Sequence, residues 1–422
     1  MSSIPPKSFS IAASAPTPGK GCLDGTFYFP EQLIPEILLH LPVKHLLRIR
    51  CVCKPWCSLI DSPSFVKRHL QRNIETNPDS HIILRSCSSG SNFFMADVHS
   101  LCNSPAVEID DPVKTYLSGA EFLGSCNGIV CLLKNNTDIL LWNPATRKLR
   151  ELPKPTSFTL PSSFMGFSIF GFGYDHLNDD YKVVKIFDYQ IWGMLVTVYS
   201  LKNDSWRQAE AIPKDISITT KRGMYANGSL YWVATKDSPV IFAFDLGVER
   251  HRELPYPTYN NENDQTAGMG MIIFDRCLRI IDHYSGYRTD LWLMNDNGVG
   301  NSWSMVLSLE QRDTQGPYTI VWHNEFSKTR NDLFITVDED RLVWYDHKKN
   351  EVKNVTIRGV PPPSQMLVYT ESLVQLGSDP NFNRMKLLKQ SDKKKYKGKQ
   401  LKNDQISCIK EVGVFGIAGT MY

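Results

Sequence analysis

Residues 29–70 read FPEQLIPEILLHLPVKHLLRIRCVCKPWCSLIDSPSFVKRHL, a stretch in which leucine and isoleucine recur at three- and four-residue spacing. That spacing is typical of helices. Proline is tolerated in a first helical turn but not inside a helix, so prolines divide the stretch at Pro35, Pro42, Pro55 and Pro63. We therefore predict a small all-α unit of three short helices within residues 27–70.

So small a unit buries little apolar surface by itself. Burying one leucine, isoleucine or tryptophan side chain contributes about 1.5–3 kcal/mol, whereas association costs about 4–15 kcal/mol. Burial of three or four such side chains would therefore only about offset the cost of association. This stretch offers seven of them: Leu33, Ile37, Leu38, Leu41, Leu46, Val52 and Trp56. Each leucine could equally belong to the unit's own core. Their density favours an apolar surface completed by a partner.

Beyond Leu70 the pattern changes to short apolar runs bounded by Asn, Gly, Asp and Pro, which is typical of strands. A strand with a central aromatic residue, followed by a polar turn, recurs at Trp142, Tyr199, Phe244, Trp292 and Tyr345, with a weaker copy at Phe94. The steps from Trp142 onward are 57, 45, 48 and 53 residues. Further strands precede many copies, at 127–133, 180–186, 227–234, 276–282 and 332–337.

This period is the size of a four-stranded propeller blade, since one small sheet cannot bury both of its faces alone. We predict a mostly antiparallel β-propeller-like domain, with a β-sandwich or barrel as the alternative. The run YTESLVQL (369–376) is predicted to close the ring against residues 81–85. The predicted organisation is a flexible leader (1–26), the helical unit (27–70), a linker (71–80), the β domain (81–380) and a Lys-rich tail (381–422), an α+β multidomain chain.

Composition excludes several classes of protein. At 422 residues with 42% hydrophobic and 22% charged residues, the chain is globular and too long for one core. It shows no signal peptide and no apolar run that could cross a bilayer, and its ten cysteines are therefore expected to be reduced in the cytoplasm or nucleus. The net charge is +3, but residues 386–402 carry eight lysines against Asp392, a local +7, which leaves −4 elsewhere. An acidic body does not favour nucleic-acid binding.

Residues 29–65 resemble an F-box, with Pro30-Glu31, Ile37-Leu38, Leu41-Pro42, Val52-Cys53-Lys54, Trp56 and Ser62-Pro63-Ser64-Phe65 carrying the likeness. The β region is similar to the kelch-like, type 1 F-box-associated domain of plant F-box proteins. GSCNGIVCL (124–132), LWNPATRKLRELP (141–153), GFGYDHLNDDYKVVKI (171–186) and NGSLYWVA (227–234) carry that likeness. The diglycine of ordinary kelch repeats is missing from most copies.

The resemblance implies the substrate-recognition subunit of an SCF-type ubiquitin ligase. The F-box would bind a Skp-type adaptor, and through it a cullin and a RING subunit, while the propeller would hold a protein substrate. The constitutive-defence-regulator and S-locus groups are the most similar members, which suggests an intracellular immune receptor as a possible substrate. The residues predicted to bind the adaptor are Pro30, Leu33, Ile37, Leu38, Leu41, Pro42, Leu46, Val52, Cys53 and Trp56.

No catalytic motif is visible, and no cofactor or metal is predicted. GFGYD (171–175) lacks the features of a phosphate loop, and Cys51, Cys53 and Cys57 have no distant partner pair for zinc, so packed thiols are expected. Acidic residues fall mostly at turn positions, such as Asp175, Asp179, Asp204 and Asp245. A propeller enzyme or a non-degradative scaffold are the alternatives. Substrate contacts are expected on one propeller face, with 154–170 and 256–269 as candidate segments.

Overall fold

The computed structural model describes seventeen segments of the chain. They are 33–76, 81–86, 92–97, 104–110, 113–155, 168–188, 193–257, 266–274, 277–284, 288–294, 303–310, 318–322, 332–337, 341–346, 351–354, 357–360 and 365–377. For residues 266–268, 272–274 and the strands within 318–354 only the backbone is described, and the other residues of these segments are described with their side chains. The predicted leader and Lys-rich tail lie outside these segments. Within them, no helix combines the length and the apolar character that a membrane span requires.

The amino-terminal part of the described chain is helical. Its helices are α1 (Ile34–Leu39), α2 (Val43–Ile49), α3 (Lys54–Asp61) and α4 (Pro63–Thr76). Pro35 and Pro55 lie in the first turns of α1 and α3, where proline costs no hydrogen bond. Pro42 is the extended residue before α2, with φ −56° and ψ 150°. Prolines therefore set the helix starts, as predicted.

Four helices replace the three that were predicted, and the fourth is a correction to the predicted linker at 71–80. Helix α4 runs through Thr76, so residues 71–76 are helical. Their polar composition resembles a linker, but Ile74 packs against the core of the β domain and Asn73 Nδ2 donates to the carbonyl of Glu371 at 3.2 Å. Contacts made far along the chain hold this last turn in place.

The β domain consists of six antiparallel sheets in the described segments. Blade 1 contains β1 (His81–Ser86), β2 (Asn92–Asp97), β3 (Val107–Glu108) and β25 (Gln365–Tyr369). Blade 2 contains β4 (Glu121–Cys126), β5 (Ile129–Lys134), β6 (Asp138–Asn143) and β7 (Lys148–Glu151). Blade 3 contains β8 (Ser168–Asp175), β9 (Asp180–Asp188), β10 (Met194–Ser200) and β11 (Ser205–Gln208).

Blade 4 contains β12 (Ser217–Ile218), β13 (Met224–Ala226), β14 (Ser229–Thr235), β15 (Pro239–Asp245) and β16 (His251–Pro255). Blade 5 contains β17 (Thr266–Phe274), β18 (Cys277–Tyr284), β19 (Arg288–Met294) and β20 (Trp303–Glu310). Blade 6 contains β21 (Tyr318–Trp322), β22 (Asp332–Val337), β23 (Arg341–Asp346) and β24 (Glu351–Asn354). A short helix, α5 (Val113–Leu117), joins blades 1 and 2.

The aromatic repeat predicted from the sequence is confirmed. Each of its residues lies in the third strand of a blade: Phe94, Trp142, Tyr199, Phe244, Trp292 and Tyr345. Where side chains are described, these aromatics are buried, and clusters of apolar residues join neighbouring blades. The predicted fold class, a small helical F-box unit followed by a mostly antiparallel β-propeller, is therefore confirmed.

The ring closes on blade 1, as predicted, but through an earlier segment. Strand β25 pairs with β1 from His81↔Tyr369 to Arg85↔Gln365, so 365–369 rather than 369–376 supplies the closing strand. Residues 370–377, called the strap below, leave the sheet instead. Side chains from blade 2 satisfy the strap's carbonyls: Asn143 Nδ2 donates to Ser372 and Val374, and Arg150 Nη1 donates to Leu376.

Candidate partner-binding surfaces

Helix α1 divides its apolar residues between two faces. Leu33 and Ile37 are 49% and 46% exposed, and their four-residue spacing places them on one side of the helix. Leu38 and Leu39 are buried. Val52, in the connection between α2 and α3, is 63% exposed. Such exposed large apolar side chains are the features that mark a protein-interaction surface.

The ten residues predicted to bind an adaptor separate into groups. Leu33, Ile37, Pro42 and Val52 are exposed, and Leu41, Cys53 and Trp56 are half-buried. Leu38 and Leu46 are a correction: both are buried in the core of the helical unit with Val43, Ile60 and Phe65. These two fill the interior because they face the other helices, so they are not available for direct contact. Pro30 lies outside the described residues.

Three cysteines lie close together in sequence on α3 and just before it. Cys51 is exposed and Cys53 and Cys57 are half-buried, so the expectation that all three are packed is wrong for Cys51. Cys57 Sγ lies 3.6 Å from Asp61 Oδ2, which also accepts from Arg50 Nη2 at 2.5 Å. The hydrogen bond with Asp61 raises the pKa of Arg50. Among the described residues, no group of His, Cys, Asp and Glu side chains could hold a metal ion.

Helix α4 and the strap attach the helical unit to the propeller. Leu70, with Val66 and Ile74, packs into a core shared by blades 2 and 3. In the opposite direction, Leu373 of the strap is buried in the core of the helical unit. Gly128 permits this close approach: its φ is +80°, and a Cβ there would lie 2.2 Å from Ser372 Oγ. The two units therefore share their interiors.

The helical unit lies on one face of the propeller. In an antiparallel blade successive turns alternate between the two faces, so the turns 127–128, 176–179 and 144–147 lie at the same end. The helical unit contacts two of these turns. In the turn 176–179, Asp179 Oδ1 lies 3.5 Å from Lys67 Nζ, and in the turn 144–147, Ala145 packs against the core of the helical unit. We call this end the helical face and the other the distal face.

At the distal face the last strands of blades 2 and 4 end and the first strands of blades 3 and 5 begin. The described ends of the candidate substrate segments 154–170 and 256–269, which are residues 154–155, 168–170, 256–257 and 266–269, therefore lie toward this face. Most of their length, 156–167 and 258–265, lies outside the described residues.

The helical face contains a buried ionic cluster between blades 3 and 4. Lys182 Nζ, 2% exposed, contacts Asp175 Oδ2 at 2.6 Å and Glu249 Oε1 at 2.8 Å. Burial alone would raise the pKa of Asp175, but hydrogen bonds from Lys182 and Asn178 outweigh it and lower that pKa. Beside the cluster is a cleft of about 380 Å³, lined by residues including Lys202, Arg207 and Glu249. Lys182 and Arg207 of blade 3 both pair with Glu249 of blade 4, so the cleft is a junction between the two blades.

The four turn aspartates all have structural partners. Asp175 accepts from the amides of Leu177 and Asn178, and Asp245 accepts from those of Gly247 and Val248. Asp179 accepts from Tyr174, and Asp204 accepts from Tyr199 at 2.6 Å. Carboxylates held in this way shape turns.

At the distal end of the propeller axis, cationic side chains gather around Glu121. Arg222 Nη2 lies 3.2 Å from Glu121 Oε2, and Lys221 Nζ lies 4.0 Å from the same oxygen. Nearby, Arg85 Nη1 donates to Gln365 Oε1 at 3.3 Å. These residues were not predicted from the sequence, because adjacent Lys221 and Arg222 look like any polar turn until the ring brings β1, β4 and β25 beside them.

Comparison with known proteins decides the family. Residues 101–376 match the F-box associated beta propeller domain, and residues 28–68 match the F-box domain. The chain is an F-box protein of the F-box-associated β-propeller family. This confirms the resemblance read from the motifs.

The chain is similar to F-box proteins of Arabidopsis thaliana. It is 28% identical to F-box protein CPR1 over 391 residues, which cover 86% of this chain and 93% of that protein. It is 30% identical to an F-box/kelch-repeat protein over 291 residues, which cover 66% of this chain and 79% of that protein. An F-box domain implies binding of a Skp-type adaptor, and these relatives support a general substrate-recognition role for this F-box protein.

Proposed function

We propose that this F-box protein is the substrate-recognition subunit of an SCF-type ubiquitin ligase, and that it has no catalytic role of its own. In this proposal the helical unit binds a Skp-type adaptor, which links it to a cullin and a RING subunit. The propeller holds a protein that is then ubiquitinated and degraded. One observation carries the proposal: apolar side chains remain exposed on a helical unit that is firmly packed on a propeller.

The exposed residues Leu33, Ile37 and Val52 form the core of the proposed adaptor contact. Pro42, Leu41, Cys53 and Trp56 extend it at partly accessible positions. The helical unit occupies the helical face, so its attachment leaves the distal face open for a substrate. Adaptor and substrate would then bind at opposite ends of one rigid body, which keeps the two binding events from competing.

Reconstitution of ubiquitin transfer tests the proposal. The full chain is assembled with a Skp-type adaptor, a cullin, a RING subunit and a conjugating enzyme that carries ubiquitin. Ubiquitin transfer to the chain, or to the substrate protein (the client) bound to it, is then measured. Ile37→Glu places a charge in the apolar contact and is expected to abolish transfer, since an unpaired buried charge is costly. Leu177→Glu, at a residue 75% exposed on the propeller, is the matched control and should retain transfer.

The alternatives give different results in the same assay. A propeller enzyme would process its small substrate equally well with or without Ile37→Glu, and a non-degradative scaffold would bind the adaptor without promoting transfer. Point variants suit this test better than deletion of residues 1–70, because deletion removes Phe65 and Leu70 from shared cores. Transfer by Ile37→Glu equal to that of the wild type would overturn the receptor assignment.

Within this proposal the protein acts in the cytoplasm and nucleus. The resemblance to the constitutive-defence-regulator group makes an intracellular immune receptor the first substrate to test, with a role in restraining plant defence. The full-length Ile37→Glu variant, expressed during proteasome inhibition, should still bind the client through its propeller, but the bound client should not be ubiquitinated. Mass spectrometry of captured proteins, with the wild type and Leu177→Glu alongside, identifies that client.

A further inference from the structure

Three cations lie beside the exposed apolar residues of the helical unit. Lys44 and Arg48 are four residues apart on α2, which places them on one side of that helix, and Lys54 begins α3. All three residues are exposed. We call Lys44, Arg48 and Lys54 the cationic border.

The cationic border is interleaved with the proposed adaptor contact. Pro42, which is exposed, comes directly before α2. The chain keeps winding past the end of that helix, because the amide of Val52 donates to the carbonyl of Ile49 at 2.9 Å. Val52, which is 63% exposed, therefore lies about one turn from Arg48. Lys54 is two residues further, at most about 7 Å along the chain.

The carboxylates of the helical unit all have other partners. Residues 33–76, which are described without a gap, contain three carboxylates. Glu36 pairs with Arg68 at 2.7 Å. Asp61 pairs with Arg50 at 2.5 Å, and Glu75 accepts from a glutamine side chain at 2.6 Å. Within the part of the chain that the structure describes, the side chains of the cationic border make no hydrogen bond or ion pair.

Position distinguishes the cationic border from ordinary solvated charges. Arg50 and Arg68 pair within the helical unit, and Lys67 pairs with Asp179 of the propeller at 3.5 Å. A partner that covers Val52 must instead approach ammonium and guanidinium groups that have no carboxylate beside them. Their charge favours a partner surface that carries carboxylates and disfavours one that carries cations.

We propose that the cationic border is the electrostatic edge of the adaptor contact, and that the Skp-type adaptor presents carboxylates of Asp or Glu to Lys44, Arg48 and Lys54. The apolar residues supply the buried contact. The border speeds and orients the encounter, since complementary charge acts mainly on the association rate. A guanidinium can hold one carboxylate through paired hydrogen bonds, whereas each lysine supplies a point charge. This inference rests on the proposed receptor function and specifies the chemistry of the adaptor surface.

Association kinetics of the full chain with a Skp-type adaptor test the cationic border. The association rate of the wild type should fall as salt rises from low to physiological concentration. Lys44→Gln, Arg48→Gln and Lys54→Gln combined should lower that rate about tenfold at low salt, while the dissociation rate changes by less than about threefold. Because the three residues are exposed, these substitutions leave the core of the helical unit intact.

The matched control combines Lys214→Gln, Lys221→Gln and Arg252→Gln, which removes the same charge from exposed positions of the propeller. The control should associate as fast as the wild type, so a loss confined to the border variant reflects position rather than net charge. Equal association rates of the two variants, or a wild-type rate that does not depend on salt, would overturn the cationic border. A wild type that binds no adaptor would instead remove the proposed receptor function.

Carbodiimide cross-linking of the same complex identifies the carboxylates. The reagent joins a lysine amine to a carboxylate as an amide and takes up the water that is released, so it reports pairs that are in contact. Mass spectrometry of the wild type and of the control should find Lys44 or Lys54 joined to Asp or Glu of the adaptor. Links to the adaptor that involve only lysines of the propeller would contradict the proposal.

Discussion

Asn143 shows how much one residue contributes to this fold. It is fully buried at the end of β6, where Nδ2 donates to the carbonyls of Ser372 and Val374 at 3.1 and 2.9 Å. Its Oδ1 accepts from the amide of Thr146 at 3.2 Å. A single side chain therefore fixes both a turn of blade 2 and a strap more than two hundred residues further along the chain.

Asn143→Ala should destabilise the protein strongly. It leaves two buried carbonyls without these donors, and each unsatisfied buried group costs about 1–3 kcal/mol. We expect the free energy of unfolding to fall by about 2–4 kcal/mol in denaturant titrations. Asn203→Ala, at an exposed turn of blade 3, is the control and should change stability little. Equal stability of the two variants would mean that the strap is held by other contacts.

Asp282 gives a second prediction at this scale, concerning pH. Burial raises its pKa to about 6, with the nearby charge of Asp290 adding to the effect and the hydrogen bond from Tyr256 at 2.5 Å opposing it. A carboxyl whose folded pKa exceeds its unfolded value adds stability below the unfolded pKa, and loses it as pH rises through the folded pKa.

Between pH 5 and pH 7.5 the contribution of Asp282 to the free energy of unfolding of the wild type should therefore fall by about 1 kcal/mol. Asp282→Asn does not titrate, and its amide oxygen can still accept from Tyr256. Its stability relative to the wild type should rise over the same pH interval, measured by chemical denaturation at each pH. Asp237→Asn, at an exposed turn, should show no such change. A difference independent of pH would contradict the raised pKa.

At the scale of elements, a repeated latch joins neighbouring blades. Trp206 on β11 donates from Nε1 to the carbonyl of Pro153, which follows the last strand of blade 2, at 2.5 Å. Trp303 on β20 makes the equivalent bond to Pro255, at the end of the last strand of blade 4, at 3.0 Å. The Arg-Glu-Leu-Pro sequences at 150–153 and 252–255 thus meet a tryptophan of the next blade.

Trp206→Phe removes this hydrogen bond and keeps an aromatic ring. We expect a loss of about 1 kcal/mol in the free energy of unfolding, together with faster amide hydrogen exchange in β11. Tyr231→Phe is the control, because it also shortens an aromatic side chain, within blade 4. If amide hydrogen exchange in β11 is the same in Trp206→Phe and in the wild type, this hydrogen bond does not hold the two blades together.

The elements differ in how far the sequence predicts them. The repeated aromatic residues predict the third strands, because burial between blades selects large side chains at one position in each repeat. The sequence predicts the helical unit only as far as Leu70, since residues 71–76 are polar and their helical state depends on the strap and the propeller. Likewise, Leu38 and Leu46 could not be separated from Leu33 and Ile37 by spacing alone, because burial depends on how the helices cross.

At the scale of the whole molecule, ring closure and the helical unit are coupled through the strap. Strand β25 closes the ring, and four residues later Leu373 enters the core of the helical unit. The carboxyl end of the propeller thus completes the amino-terminal domain. The helical unit and the propeller form one continuous packed body, a relation that local sequence patterns do not reveal.

Leu373→Ala should therefore loosen a domain that is distant in sequence. Truncating a buried leucine costs about 2–5 kcal/mol, and we expect hydrogen exchange to accelerate in α1–α4 more than in blades 3 and 4. Gln375→Ala, at an exposed position of the same strap, is the matched control. Acceleration spread evenly over the propeller, with none favouring the helices, would contradict the coupling.

The central claim is that the exposed apolar side chains of the helical unit are covered by a Skp-type adaptor. Calorimetric titration of the full chain with such an adaptor tests it most directly, using Leu33→Ala, Ile37→Ala and Val52→Ala combined in one variant. The matched control combines Leu177→Ala and Val248→Ala, which truncate exposed apolar residues on the propeller. The account predicts that the triple variant binds at least about tenfold more weakly while the control binds as the wild type does. Absence of adaptor binding by the wild type, or equal affinity of the triple variant, would contradict it.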